Sequence, residues 1–144
     1  MKKITSVISL SFLVPFLLVT TVMGSDDWVE YGRMESIGIY LYNKDSIKHP
    51  TNDMVQVTNK LVLSDKGREL LIKMRRSSSE KFEKSSYMTT KYNIYCKKDL
   101  RSILSITVYD KNGHVLSDDS NREPIWGSIT PDTMDDKLRK KVCK

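Results

Sequence analysis

The residues able to do chemistry in this chain are few. Cys96 and Cys143 are the only cysteines, and His49 and His114 the only histidines, in 144 residues. Two lone cysteines behind the uncharged apolar stretch that follows Lys2 and Lys3, which reads as an export signal, most simply form one disulfide. A metal pair or a free reactive thiol is the alternative, but neither histidine has a spacing that resembles a zinc site. His49 precedes Pro50 in a loop, and His114 sits beside a tight turn, so both read as solvent-exposed. Asp110, Asn112, Asp118 and Asp119 invite comparison with a calcium loop. Gly113 comes too early for one, and no Glu closes it. No glycine-rich phosphate loop, Gly-x-Ser-x-Gly or Cys-x-x-Cys is present, and no acid pairs with a nucleophile. Neither catalysis, a metal nor a cofactor is expected.

What remains is surface. Lys73, Arg75, Arg76, Lys81 and Lys84 cluster around a polar segment, and Lys91, Lys97, Lys98 and Arg101 lie on or beside the strand that follows. Such a set either keeps a solvated face soluble or presents a contact patch to an acidic partner. Tyr87, Tyr92 and Tyr95 fall among these charges. The candidate binding set is therefore Arg75, Arg76, Lys81, Lys84, Lys91 and Tyr95. Alternation with Ile94 turns Tyr92 toward the core and leaves Tyr95 for the surface. Trp28 and Trp126 read as core or edge-sealing residues.

These residues need a scaffold, and the sequence favours strands. The chain contains no Ala and is rich in Ser, Thr, Tyr, Val and Ile. Short strands are expected at 28–31 and 38–42, with a turn at Asn43-Lys44-Asp45 and a short strand at 46–48. Residues 49–53 read as a loop. Val55, Val57, Leu61 and Leu63 alternate with Gln56, Thr58, Lys60 and Ser64, which describes a strand with one buried face. Asp65-Lys66-Gly67 breaks it, and 69–74 fits either a helical turn or a strand. Residues 75–85 read as an exposed loop anchored by Phe82 alone. Further strands are expected at 87–97 and 104–109. Asn112-Gly113 makes a tight hairpin turn, with a return strand from His114 and an edge segment at 125–127.

The last segment reads as a helix. Thr130 is a suitable N-cap, and Pro131 fits the first helical position. Asp132, Asp135 and Asp136 precede Lys137, Arg139, Lys140 and Lys141, in the order the helix dipole favours. Met134, Leu138 and Val142 form a narrow apolar stripe. A Cys96–Cys143 bond would pin this helix to the sheet. The fold class is α+β: a curved antiparallel sheet of about six strands, with a C-terminal helix packed on one face. Uncovered edges leave a homodimer open.

The N-terminus reads as a signal peptide over residues 1–24. Lys2 and Lys3 precede an uncharged stretch from Ile4 through Gly24, and Val22-Met23-Gly24 suits cleavage before Ser25. An uncleaved membrane anchor is the alternative. Residues 25–144 then form one domain, large enough for one core. No Cys follows the cut, so lipid attachment there is not expected. Loss of Lys2 and Lys3 lowers the net charge from +6 to +4. Export and a modest charge argue against nucleic acid as a partner, and the membrane is met only through the signal peptide before cleavage.

The chain resembles the surface-adhesin protein E family of Gram-negative bacteria. The resemblance rests on Trp28, on Tyr40 followed by Asn43-Lys44-Asp45-Ser46-Ile47, and on Tyr92-Asn93-Ile94-Tyr95-Cys96. It continues with Tyr109 and Gly113, Trp126-Gly127-Ser128-Ile129-Thr130-Pro131, and Val142-Cys143. It implies an antiparallel sheet with the C-terminal helix tethered through Cys96 and Cys143. It also implies an adhesin that binds host or matrix proteins such as vitronectin or laminin. A periplasmic structural or inhibitory module acting on another envelope protein is the second reading. The missing lipidation cysteine departs from a lipid-anchored adhesin, so the expected location is the periplasm, or the cell surface by analogy with the family.

Overall fold

A computed structural model describes residues 27–75, 79–120 and 123–144, without the side chain of Ser79. The expected signal peptide and Arg76 lie outside the described residues. The strands are β1 (Trp28–Met34), β2 (Gly38–Asn43), β3 (Lys48–Thr51), β4 (Met54–Leu63), β5 (Ser85–Tyr95), β6 (Leu100–Asp110), β7 (Val115–Asp118) and β8 (Ile125–Ser128). The helices are α1 (Asp65–Met74), α2 (Ser79–Phe82) and α3 (Met134–Val142). All strand pairs are antiparallel. The main path runs β1-β2-β4-β5-β6-β7, six strands as expected, with β3 added beside β4 and β8 beside β6.

The long strands β4 and β5 form the centre, and their alternation sets the two faces. Val55 pairs with Ile94 and Val57 with Tyr92, so these four side chains share a face. They pack with Tyr31, Tyr42, Ile129, Leu138 and Val142, which places α3 on that face. Farther along, Leu63 and Met88 pack with Leu71, Phe82 and Val108, beneath α1 and α2. Leu61 pairs with Met88 and Met88 with Val108, so this second cluster lies on the same face. Asn59 and Thr90 are paired between the two clusters and are both buried. Both lie near Tyr92, whose hydroxyl pKa their polar side chains act to lower against the larger effect of burial. These buried polar groups separate the two apolar cores, and the Asn59 Oδ1 among them has no hydrogen-bond partner among the described residues.

The helix that fitted either reading at 69–74 begins earlier, at Asp65. Ser64 caps it by accepting the Gly67 N–H at 3.0 Å, and Asp65 occupies the favourable N-terminal turn. Gly67 does not break the chain here. A Cβ at this position would stand 2.0 Å from the Ile37 carbonyl oxygen, so only Gly lets α1 reach the β1–β2 turn.

Three further expectations are corrected. Residues 75–85 are not loop throughout: α2 interrupts them, and Phe82 is the buried anchor expected. Residues 49–51 belong to edge strand β3, whose irregular register between Lys48 and Thr51 accommodates Pro50, which has no N–H to donate. Ser46 and Ile47 do not start a strand, because Asn43 caps a 3-10 turn over Lys44–Ser46 instead.

The C-terminal helix starts later than Thr130-Pro131 suggested. Thr133 is the N-cap, accepting the Asp136 N–H, and Thr130 supplies its carbonyl to the Thr133 hydroxyl at 2.7 Å. Asp132 has a left-handed φ of 63°, which interrupts helical geometry before Thr133. Its N–H donates to the Asp136 carboxylate at 3.1 Å. Pro131 therefore sits in the turn before the helix. The predicted disulfide is present, joining Cys96 to Cys143 with Cα atoms 5.5 Å apart.

Candidate functional site

The face of the sheet opposite the helices carries the side chains that alternate with the core. On β5 these are Tyr87, Thr89, Lys91, Asn93 and Tyr95. Direct pairing sets Lys60 beside Thr89, and Tyr109 beside Tyr87. Trp28, on border strand β1, belongs to the same face through its pairing with Asn43. The Lys60 ammonium lies 5.2 Å from the Trp28 ring centre and 4.3 Å from that of Tyr87. Tyr87 in turn stacks on Tyr109 at 4.7 Å. A cation between aromatic faces is held by their quadrupoles, so this end of the face is built around a lysine.

The other end of β5, about 27 Å away by strand rise, carries a second aromatic group. Tyr95 pairs with Leu100, and Trp126 of β8 pairs with Ser102 on the same face. The Tyr95 and Trp126 rings are 5.5 Å apart and tilted by 31°. Trp126 is 58% exposed and Leu100 is also exposed. Of the two sequence readings, core or edge-sealing, Trp126 is not a core residue but lies on the border strand β8. Pairing with Ser102 turns its indole to the uncovered face, while Ser102 itself is buried beside it. Trp28 is half-buried on its edge strand. Exposed Lys97 and Lys98 follow Tyr95, and Lys97 pairs with Asp53.

This second end is firmly fixed to α3. Cys96, next to Tyr95, is bonded to Cys143. Asp99 in the β5–β6 turn pairs with Arg139 at 2.8 Å. Arg101 pairs with Asp135 and lies 5.7 Å over the Tyr92 ring. Arg139 also reaches Asp136, which accepts from Lys140 and from the Asp132 N–H. These donors, led by Lys140, hold the Asp136 carboxyl well below the usual carboxylate range. On the core side, burial first and then Asp135 push the Tyr92 hydroxyl up to about 12. Burial likewise raises Tyr31 far above its ordinary value. These shifted groups belong to structural contacts. The Asp110 carboxyl, lowered by its hydrogen bonds with His114, caps a hairpin turn. Among the described residues no three His, Cys, Asp or Glu side chains gather to hold a metal ion.

The predicted binding set divides between two places. Lys91 and Tyr95 stand on the open face, four residues apart on β5. Arg75, Lys81 and Lys84 lie at the α1–α2 corner, on the helix side. There Arg75 covers Phe82 at 5.7 Å and approaches Asp119 at 3.8 Å. Lys81 and Lys84 alternate with Glu80 and Glu83 around a shallow cleft. Sequence reasoning omitted Lys60 and Leu100 and set Trp126 aside. The shared parity of 87, 91 and 95 was the signal for the face. Nothing local marked Trp126 as exposed.

The family model for surface-adhesin protein E matches residues 28–144. The chain therefore belongs to the surface-adhesin protein E family. No curated protein and no solved structure shows significant similarity to it. Membership implies a non-enzymatic, surface or exported protein. Among the described residues no helix is long and apolar enough to cross a membrane.

Proposed function

We propose that the protein is an exported binding protein that engages a host or extracellular-matrix protein through the open sheet face, with Trp126 and Tyr95 as its anchor. The observation that carries this reading is a tryptophan left 58% exposed on a tyrosine ring, in a part of the sheet bonded to α3. Binding energy concentrates in Trp, Tyr and Arg side chains that meet a partner pocket, and a preorganised anchor loses little entropy on binding. Leu100 supplies apolar surface beside the pair, and Lys91 and Lys98 bias the rim toward an acidic partner, while Lys97 is already paired with Asp53. The corner basic group of Arg75, Lys81 and Lys84 is interleaved with acids and forms the comparison site.

The test is binding of the purified protein to immobilised vitronectin and laminin, and a pull-down from envelope extract. Trp126→Ala and Tyr95→Ala are expected to weaken binding at least tenfold, with Lys81→Gln plus Lys84→Gln changing it little. The reverse ranking would move the site to the corner. Capture of an envelope protein with no affinity for matrix proteins, together with fractionation to the periplasm, would replace the adhesin reading with that of a periplasmic module.

A further inference from the structure

A cavity of about 260 Å³ lies between α1 and the sheet, on the helix side and away from Trp126. Its walls are Ile37, Leu61, Leu63, Leu70, Leu71, Met74, Met88 and Gly67, with almost no polar surface. Two of these walls are left open to solvent: Leu70 is 45% exposed and Met74 74%. They are four residues apart on α1 and so neighbours on one helical stripe. Lys66 and Lys73 stand one turn before and after Leu70, both exposed and neither ion-paired among the described residues. An apolar cavity thus opens beside Leu70 and Met74, and Lys66 and Lys73 neighbour Leu70 on the helix surface outside the lining, with exposed Glu69 between them.

We propose that this cavity takes the acyl chain of a single-chain anionic amphiphile, with its headgroup over Lys66 and Lys73. The lining decides against a peptide: an inserted backbone would leave its N–H and C=O groups without partners, at a cost of several kcal/mol each in the most apolar reference. An acyl chain has no such groups and gains from every methylene it buries. The volume falls just below the usual range for drug-sized ligands, which suits one short chain and not a two-chain lipid. Gly67 shapes the deep end, because α1 approaches the Ile37 carbonyl too closely for any side chain there. A headgroup emerging past Leu70 comes within reach of Lys66 and Lys73, which favour carboxylate or sulfate heads over cationic ones.

The site is tested with decanoate and decanol on the purified protein, by displacement of a fluorescent naphthalene sulfonate and by native mass spectrometry. Saturable binding of one decanoate per chain is expected. Leu70→Glu with Met74→Glu, both at exposed positions, should abolish it without unfolding the protein. Lys66→Gln with Lys73→Gln should weaken decanoate about threefold and leave decanol unchanged. Absence of saturable decanoate binding overturns the proposal. So does binding indifferent to Leu70→Glu and Met74→Glu, or equal loss of both probes in the lysine variant. A concentration-dependent dimer abolished by those two glutamates, with no decanoate bound, would assign the cavity to a second copy and overturn it too. Matrix-protein binding through Trp126 is unaffected by any of these outcomes, so the two readings fail separately.

Discussion

The Ile129 backbone N–H donates to the Asp99 carbonyl at 2.7 Å, joining the segment that leads into α3 to the β5–β6 turn. The same turn region is held by Cys96–Cys143, by Arg139 on Asp99 and by Arg101 on Asp135. Four attachments, one backbone hydrogen bond, one disulfide and two ion pairs, therefore converge on the residues that border Tyr95 and Leu100. Their common effect is that the aromatic end of the open face moves with the C-terminal helix as one unit.

Removing the covalent member of this group is the first prediction. The bond closes a loop across a sequence separation of 47 residues. The chain-entropy relation then gives about 4 kcal/mol of stabilisation. Replacing both cysteines by Ala, or adding reductant, should lower the urea midpoint accordingly. Hydrogen exchange should rise first in α3 and in residues 95–101. A variant equal in stability to the parent would show that the noncovalent contacts suffice.

Exposure of Trp126 leads to the second prediction. Trp126→Ala removes little buried area, so stability should stay within about 0.5 kcal/mol while partner binding falls. Iodide should quench Trp126 fluorescence strongly in the parent and leave Trp28 the residual emitter in the variant. Equal quenching of both indoles would contradict the placement.

Alkaline titration supplies the third. Tyr92 has its hydroxyl raised to about 12 in the fold, against ~10 in the unfolded chain. A raised folded pKa means the folded state holds the proton more tightly. The stabilisation is present in full below pH ~10 and is lost as pH climbs toward about 12. Tyrosinate absorbance should therefore show Tyr92 and Tyr31 ionising late, together with loss of near-ultraviolet circular dichroism. Tyr92→Phe should flatten the alkaline part of that stability profile.

Acid gives the fourth, with the opposite sign. Asp136 is depressed in the fold by Lys140, Arg139 and the Asp132 N–H. Its contribution is present above the ordinary carboxylate value near ~4 and is lost as pH falls below it. Asp136→Asn should lower the melting temperature at pH 7 and by much less at pH 2. A constant difference between the two variants across this range would remove Asp136 from the acid response.

Gly67→Ala is the fifth. The added methyl would stand 2.0 Å from the Ile37 oxygen, so α1 must shift. A loss of about 1–3 kcal/mol in urea unfolding is expected. Gly113→Ala has its nearest neighbour at 3.5 Å but a φ of +83°, so any loss there reflects backbone strain alone.

The central strands were legible because alternation is a local signal. Val55 and Val57 opposite Tyr92 and Ile94 declare one buried face without reference to the rest of the chain. The start of α1 was hidden because Gly67 reads as a break unless the Ile37 carbonyl is known to lie against it. Thr130-Pro131 offered a good N-cap. Thr133 is used because Asp132 adopts a left-handed conformation and joins the Asp136 network. For Trp126 the sequence left core and edge-sealing roles open, and the choice between them follows from a long-range register with Ser102. The binding set split for the same reason: nearness in sequence joined Lys84 to Lys91, and strand β5 carries them to different parts of the surface.

The outer border of β6 has a consequence for how these molecules meet one another. β7 pairs with residues 107–109 and β8 with residues 100–103, each only four residues long. On the strip between them, 104–106, the Ile106 carbonyl accepts the Asp119 N–H at 2.9 Å. Among the described residues, an extended segment of another chain thus finds this border interrupted rather than one long, straight run. Fibre growth by strand addition needs such a run. At this border the protein can crowd against its own copies at high local density and still remain a set of separate molecules.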